Sequence, residues 1–200
     1  MKNNPLISIL TPCYNSAQFL SECIESVLQQ DYPHVEHILI DDGSHDDSKK
    51  ILQYYAKKYP KRITYYHQKH RGHAAALNML IKKAEGDIFL NLNSDDALLP
   101  HACSWAVEQF KQFPDMAVIY GDVYIIDAKS KVITTFIPKQ YDFNRILCSE
   151  LVIPEQAAFV QRTALEHIGF FYDFSLQKIP DFELWIQLGL RFEMRHVPGF

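Results

Sequence analysis

Two spacings of apolar residues alternate along the first half of the chain. The runs at 6–11 (LISILT), 35–42 (VEHILIDD), 63–68 (ITYYHQ) and 87–93 (DIFLNLN) have the length and β-branched content of strands. Between them, 17–30 (AQFLSECIESVLQQ) sets Phe19, Leu20, Cys23, Ile24, Val27 and Leu28 on one helical stripe, and helices are expected from Ser44 to about Tyr59 and over 73–85. Asn15 or Ser16 is placed to cap the first helix, and Ser44 with Asp47 to open the second as a capping box. The order βαβαβαβ needs crossover helices and a parallel sheet covered on both faces. Beyond a helix near 98–113 the pattern changes. Residues 116–138 read as strands joined by a polar turn around 128–131, 139–176 as short helical and extended pieces, and 180–190 as a helix before a final extended segment. The fold class is therefore α/β, a mostly parallel central sheet flanked by helices with a mixed second half, in one domain over 1–200.

Composition narrows what such a domain can do. With 48% apolar residues, 200 residues can bury one sizeable core. A net charge of −4 and no Lys/Arg run exclude a nucleic-acid binder that works by neutralising phosphates. No apolar run approaches the ~20 residues of a membrane helix. The N-terminus carries no cleavage pattern, so the chain reads as soluble and unexported. Cys13, Cys23, Cys103 and Cys148 are scattered and read as free thiols of a reducing compartment. The sequence stops just after a strand, which leaves room for a C-terminal continuation past Phe200.

In an open parallel sheet, ligands sit beyond the carboxyl ends of the strands. Polar residues collect there: Thr11 to Asn15, Asp41 to Ser44, His70 to Gly72, and Asn93 to Asp96. Asn15, Ser44 and Asp96 could each serve as helix caps, but four acidic residues at two strand ends exceed what capping requires, and the excess suits a cation. Only seven glycines occur, none spaced G-x-G, so neither a dinucleotide fingerprint nor a Walker loop is present. Oxygen ligands such as Asp95 favour a hard ion, Mg²⁺ or Mn²⁺. Asp42 is then free to accept from N–H donors of a base, and Tyr14 offers a ring to stack on it.

Taken in order, "SILTPCYNSAQFLSECIESVLQQDYPHVEHILIDDGSHDDS", "RGHAAALNML", "GDIFLNLNSDDALLP", "VIYGD" and "PDFELWIQL" resemble the inverting family 2 glycosyltransferases with the GT-A fold. The resemblance covers essentially the whole chain. It implies a nucleotide-binding half over 1–96 and an acceptor-side half over 97–200. Thr11, Tyr14 and Asp42 match positions that hold the nucleobase, usually uracil, and Arg71 falls where a residue approaches the diphosphate. Residues 93–95 match the family's D-x-D, with Asn93 and Ser94 on the nucleotide and Asp95 on Mn²⁺ or Mg²⁺. Asn93 departs from the family's first acid and leaves one charge fewer. Asp181 matches the catalytic base, where a carboxylate takes the acceptor hydroxyl's proton. The partners implied are a nucleotide-sugar donor, most simply UDP-linked, and a glycan or lipid-linked acceptor in cell-surface polysaccharide assembly. The location implied is cytoplasmic or peripheral to the inner face of the cell membrane.

Blander readings stand beside these. Asp181 could cap the 182–190 helix, and Glu183 is turned about 200° away from it on a helix. His67, His70 and His73 lack the companions of a zinc site and read as lining the donor pocket or facing solvent. Trp105 fits core packing, Trp185 packing or the acceptor side, and Arg162 with Glu155 and Gln156 the acceptor side. Two rival functions remain, a degenerate nucleotide-sugar binding module and a nucleotidyltransferase. The latter normally carries a glycine-rich loop and a basic residue that Thr11 to Ser16 lacks.

Overall fold

The computed structural model describes residues 4–169 and 180–199. Four parallel strands form the first half: β1 (Ile7–Cys13), β2 (Val35–Asp41), β3 (Ile63–His67) and β4 (Ile88–Asn91). Helices α1 (Leu20–Leu28), α2 (Ser48–Lys58) and α3 (His73–Lys83) connect them, and α4 (Ala102–Gln112) follows β4. The second half supplies β5 (Val118–Tyr120), β6 (Val123–Ile126), β7 (Val132–Phe136), α5 (Phe143–Leu147), β8 (Ala158–Gln161), α6 (Arg162–Ile168), α7 (Pro180–Gly189) and β9 (Met194–His196).

The seven-stranded sheet runs β3-β2-β1-β4-β8-β5-β9. Only β8 opposes its neighbours, pairing antiparallel with both β4 and β5. The expected mixed second half is thus one reversed strand inserted into an otherwise parallel sheet. β6 and β7 form a separate hairpin. Its turn is closed by Asp127, whose carboxylate accepts from the amides of Lys129 and Lys131, and Ser130 at φ 60 reaches Glu22 on α1 through its hydroxyl.

Apolar side chains on both sheet faces explain why the strands read as continuous hydrophobic runs. Leu10, Ile38, Ile40 and Phe89 pack with α3, α6 and α7 on one side. Ile7, Ile9, Leu90, Ile119 and Phe159 pack with α1 and α4 on the other, where Trp105 lies against Phe159 as core packing requires. All four cysteines are free. Among the described residues no helix is long and apolar enough to cross a membrane. Gly86 sits where β4 must pass close to β1, since a Cβ there would lie 2.6 Å from the Ser8 nitrogen. The expected pieces over 170–176 lie outside the described residues.

Both expected caps are replaced by something else. Helix α1 starts at Leu20 behind Phe19, and α2 starts at Ser48 behind Asp47, neither with a side-chain cap. The polar residues tie two loops together instead. Asn15 in the left-handed region (φ 51) accepts from the His45 amide and donates its own amide to Ser44 Oγ. The Ser16 amide donates to Ser48 Oγ, and the Ala17 amide to Asp46.

Candidate active site

β1 pairs with β2 on one side and β4 on the other, and chain order reverses between them. The crevice beyond their carboxyl ends is the expected place for a ligand in such a sheet. Four segments meet there: the two laced loops after β1 and β2, residues 68–72 after β3, and residues 92–97 after β4.

The acids of the second strand end are already occupied. Asp41 Oδ1 accepts from the Ser44 amide and Oδ2 pairs with His67 Nδ1 at 3.0 Å. Asp42 is only 3% exposed. Its Oδ1 accepts from Gln68 Nε2 at 2.6 Å and the Arg71 amide at 2.9 Å, and its Oδ2 from the Gly72 amide at 2.8 Å, while His70 Nδ1 lies 2.9 Å from Oδ2 and is hydrogen-bonded to the Asp42 carbonyl at 3.2 Å. A carboxylate has about four acceptor sites. Protein hydrogen bonds fill three of them, and these carboxylates brace segment 68–72. Gly43 permits the contact: at φ 77 it has no side chain, and a Cβ would lie 2.8 Å from the His70 nitrogen.

Tyr14, 41% exposed, stacks on His70 with centroids 4.2 Å apart. The ring expected to meet a base therefore already carries an imidazole on one face. Thr11 is completely buried and bonded to His37 Nε2 at 2.9 Å, so its hydroxyl offers nothing to a ligand. Burial keeps His37 neutral, with a pKa pushed down to about 3. Arg71 contributes its amide to Asp42 while its side chain is exposed.

At the end of β4, Ser94 is buried and donates to Ser16 Oγ at 2.7 Å, joining this loop to the first one. Asn93 donates from Nδ2 to Asp96 Oδ2 at 3.3 Å. Asp95 is exposed. Burial and then the neighbouring Asp95 charge push the Asp96 carboxyl above its ordinary value. These two acids form one wall of a cleft of about 310 Å³, with Glu22, Phe19, Tyr124 and Gln156 on the others and no Lys or Arg in the lining. Among the described residues no three acidic, His or Cys groups form a ready-made metal cage.

Asp181 is half-buried in the first turn of α7. Its charge, with those of Asp42 and Asp95, favours the protonated form of His73, though crowding by the surrounding protein outweighs them and lowers the imidazole's pKa. Asp42, Asp95 and Asp181 thus all lie within electrostatic reach of His73 at the start of α3. The three histidines of 67–73 serve different ends, as bridge to Asp41, bridge to Asp42 and an imidazole that feels three acids. Gln68 escaped sequence reasoning, its only signal being a polar residue at a strand end, and Ser16 was read only as a candidate helix cap. Of the acceptor-side candidates, Gln156 lines the cleft. Arg162 lies at the other edge of the sheet, donating to the Gly86 and Ala84 carbonyls.

The fold matches solved structures closely. TarS from S. aureus superposes with a TM-score of 0.80 at 18% identity, covering 98% of this chain and 35% of that one. The mannosyltransferase PcManGT from Pyrobaculum calidifontis, in complex with GDP-Man and Mn²⁺, gives 0.74 at 19% identity over 98% of this chain and 56% of that one. The GT-A architecture is therefore shown. In sequence, the chondroitin synthase of Escherichia coli is 27% identical over 197 residues, 98% of this chain but 28% of its own length. A glycosyltransferase of Rickettsia typhi is 30% identical over 197 residues, covering 94% of this chain and 60% of its own length. The chain thus spans well under two thirds of these relatives. The model of the family described as "Glycosyl transferase family 2" matches residues 8–169, which include both laced loops, the segment that braces Asp42 and the acidic turn after β4, and the chain belongs to that family.

Proposed function

We propose that the chain transfers a sugar from a nucleotide-sugar to an acceptor hydroxyl with inversion at the anomeric carbon, in the assembly of a cell-surface glycan. The observation that carries this reading is that Asp95 and Asp181, from different elements, both lie within electrostatic reach of His73. Family membership supplies the reaction class, and TarS has been solved in complex with UDP and with UDP-GlcNAc.

Asp181 is the base. Its carboxylate takes the acceptor's proton as the oxygen attacks opposite the leaving nucleotide. Tyr14 gives the base its free ring face, and Arg71 extends toward the diphosphate. Asp95, with the Asn93 carbonyl beside it, fits a divalent cation: Mg²⁺ or Mn²⁺ commonly takes one or two protein carboxylates and completes its shell with water and phosphate oxygens. Asp96, held protonation-prone by Asp95, gains from any cation placed there. When bound, such an ion offsets charge on the departing diphosphate. Ser94 fixes the loop through Ser16 and so sets where Asp95 points.

Titration calorimetry with UDP, with and without Mn²⁺, and a donor-hydrolysis screen over nucleotide-sugars test the proposal. Asp181→Asn should abolish turnover while leaving UDP affinity within a few-fold. Full turnover in that variant removes Asp181 from the mechanism, and UDP binding without turnover on any donor leaves a binding module.

A further inference from the structure

Between β4 and α7, three buried polar atoms have no hydrogen-bond partner: Oδ1 and Nδ2 of Asn91, and Nε1 of Trp185. Asn91 is 7% exposed and Trp185 3%. Leaving a buried donor or acceptor unpaired costs about 1–3 kcal/mol. Both residues line one small cavity, walled otherwise by Glu155 and by apolar groups such as Leu10, Leu77, Phe89 and Leu184. The space open to the centre of a water-sized sphere is about 20 Å³. One water needs about 10–15 Å³ by that measure, and it needs at least two polar partners. An apolar cavity of this size would stay dry; this one presents two donors and an acceptor.

We propose that the cavity holds a single structural water bridging Asn91 to Trp185, and that these two side chains act through it as positioning residues for Asp181. The water accepts from the indole N–H and donates to the Asn91 carbonyl oxygen. Asn91 ends β4, the strand that delivers Asn93 and Asp95. Trp185 lies one helical turn beyond Asp181 on α7, on the stripe that faces the sheet. The far end of α7 is already fixed, because Tyr141 donates to the Gly189 carbonyl and Phe143 packs against that glycine. The near end, which carries the acid, is tied to the metal-side strand by the bridge. Apolar packing such as that of Phe89 and Leu184 leaves a helix free to slide by fractions of an ångström. A polar bridge sets its register.

This inference rests on Asp181 as the base, and the experiment keeps the two apart. In ¹⁵N-labelled protein the two tryptophans give two indole N–H signals, and Trp185→Phe assigns them. Trp185 Hε1 should show a cross-relaxation peak to a long-lived water, and Asn91→Leu should remove that peak and shift the signal. In donor-hydrolysis assays both variants should lower kcat about 10-fold, since small misplacements of a reacting group carry large rate effects. UDP affinity should stay within two-fold, and the double variant should be no slower than the slower single one. Trp185→Phe keeps the ring and deletes only the donor, so it carries the test if Asn91→Leu folds poorly. Absence of the water peak, or unchanged kcat in a folded variant, overturns the proposal. Turnover surviving Asp181→Asn while the water peak persists overturns the assignment of the base instead.

Discussion

Asp42→Asn separates a brace from a ligand. If the carboxylate exists to receive a base, the change weakens UDP binding and spares the fold. The geometry argues otherwise, because three protein donors converge on it at 2.6–2.9 Å and His70 Nδ1 lies 2.9 Å from Oδ2. An amide of the same shape keeps an oxygen toward two of the donors and turns an NH₂ group against the third and His70. Hydrogen bonds to a charged acceptor are worth about 1.5–3 kcal/mol each, and bonds sharing one acceptor do not add fully, so a loss of about 2–4 kcal/mol follows. For a domain of this size that lowers Tm by roughly 4–15 °C. Scanning calorimetry of both proteins, with UDP titrations alongside, reads the two quantities together. A Tm unchanged to within about 1 °C with UDP binding lost would refute the brace and return Asp42 to the base.

The same geometry makes three further predictions. His37 is buried neutral with a pKa of about 3; its unfolded form takes up a proton near pH 6.5, so stability should fall by about 1.4 kcal/mol per pH unit as pH drops from there toward 3, and urea unfolding of His37→Gln should show that slope flattened. Gly43→Ala combines φ 77 with a contact to His70 and should cost about 2–3 kcal/mol, whereas Gly72→Ala, at φ 90 with open space around it, should cost only about 1; equal losses would show that Gly43 does not press on His70. Asp95→Asn removes one of the two causes raising the Asp96 carboxyl, so its ¹³C-detected titration should move down toward the ordinary aspartate range.

The parallel strands and their helices were legible because apolar runs and stripes are local patterns, and β1 to β4 fall within a residue or two of where those patterns put them. The reversal of β8 was not legible. A four-residue apolar run such as Ala158–Gln161 carries no mark of direction, which is set by the partners on either side. The polar residues after β1 and β2 were found at the right edge but given the wrong partners. Asn15, Ser44 and Asp47 have the chemistry of helix caps, and nothing in their spacing reveals that loops 29–30 residues apart would lace to each other. Asp42 shows the same limit, since its donors at 68–72 arrive only through the pairing of β2 with β3. Asp95 stood out by its place at a strand end, whereas Asp181, 86 positions further along the chain, was readable only through resemblance.

The place of β8 also governs the order in which the molecule can be completed during synthesis. The four parallel strands are all made by residue 91, but the neighbour of β4 on its open side is residues 158–161. At about 5–20 residues per second, the ribosome leaves that edge unpaired for several seconds, with two apolar faces and a row of free backbone groups. Chains cut short before residue 161 would carry the same raw edge permanently, and should be recovered as aggregates even though every strand of the nucleotide-side half is present.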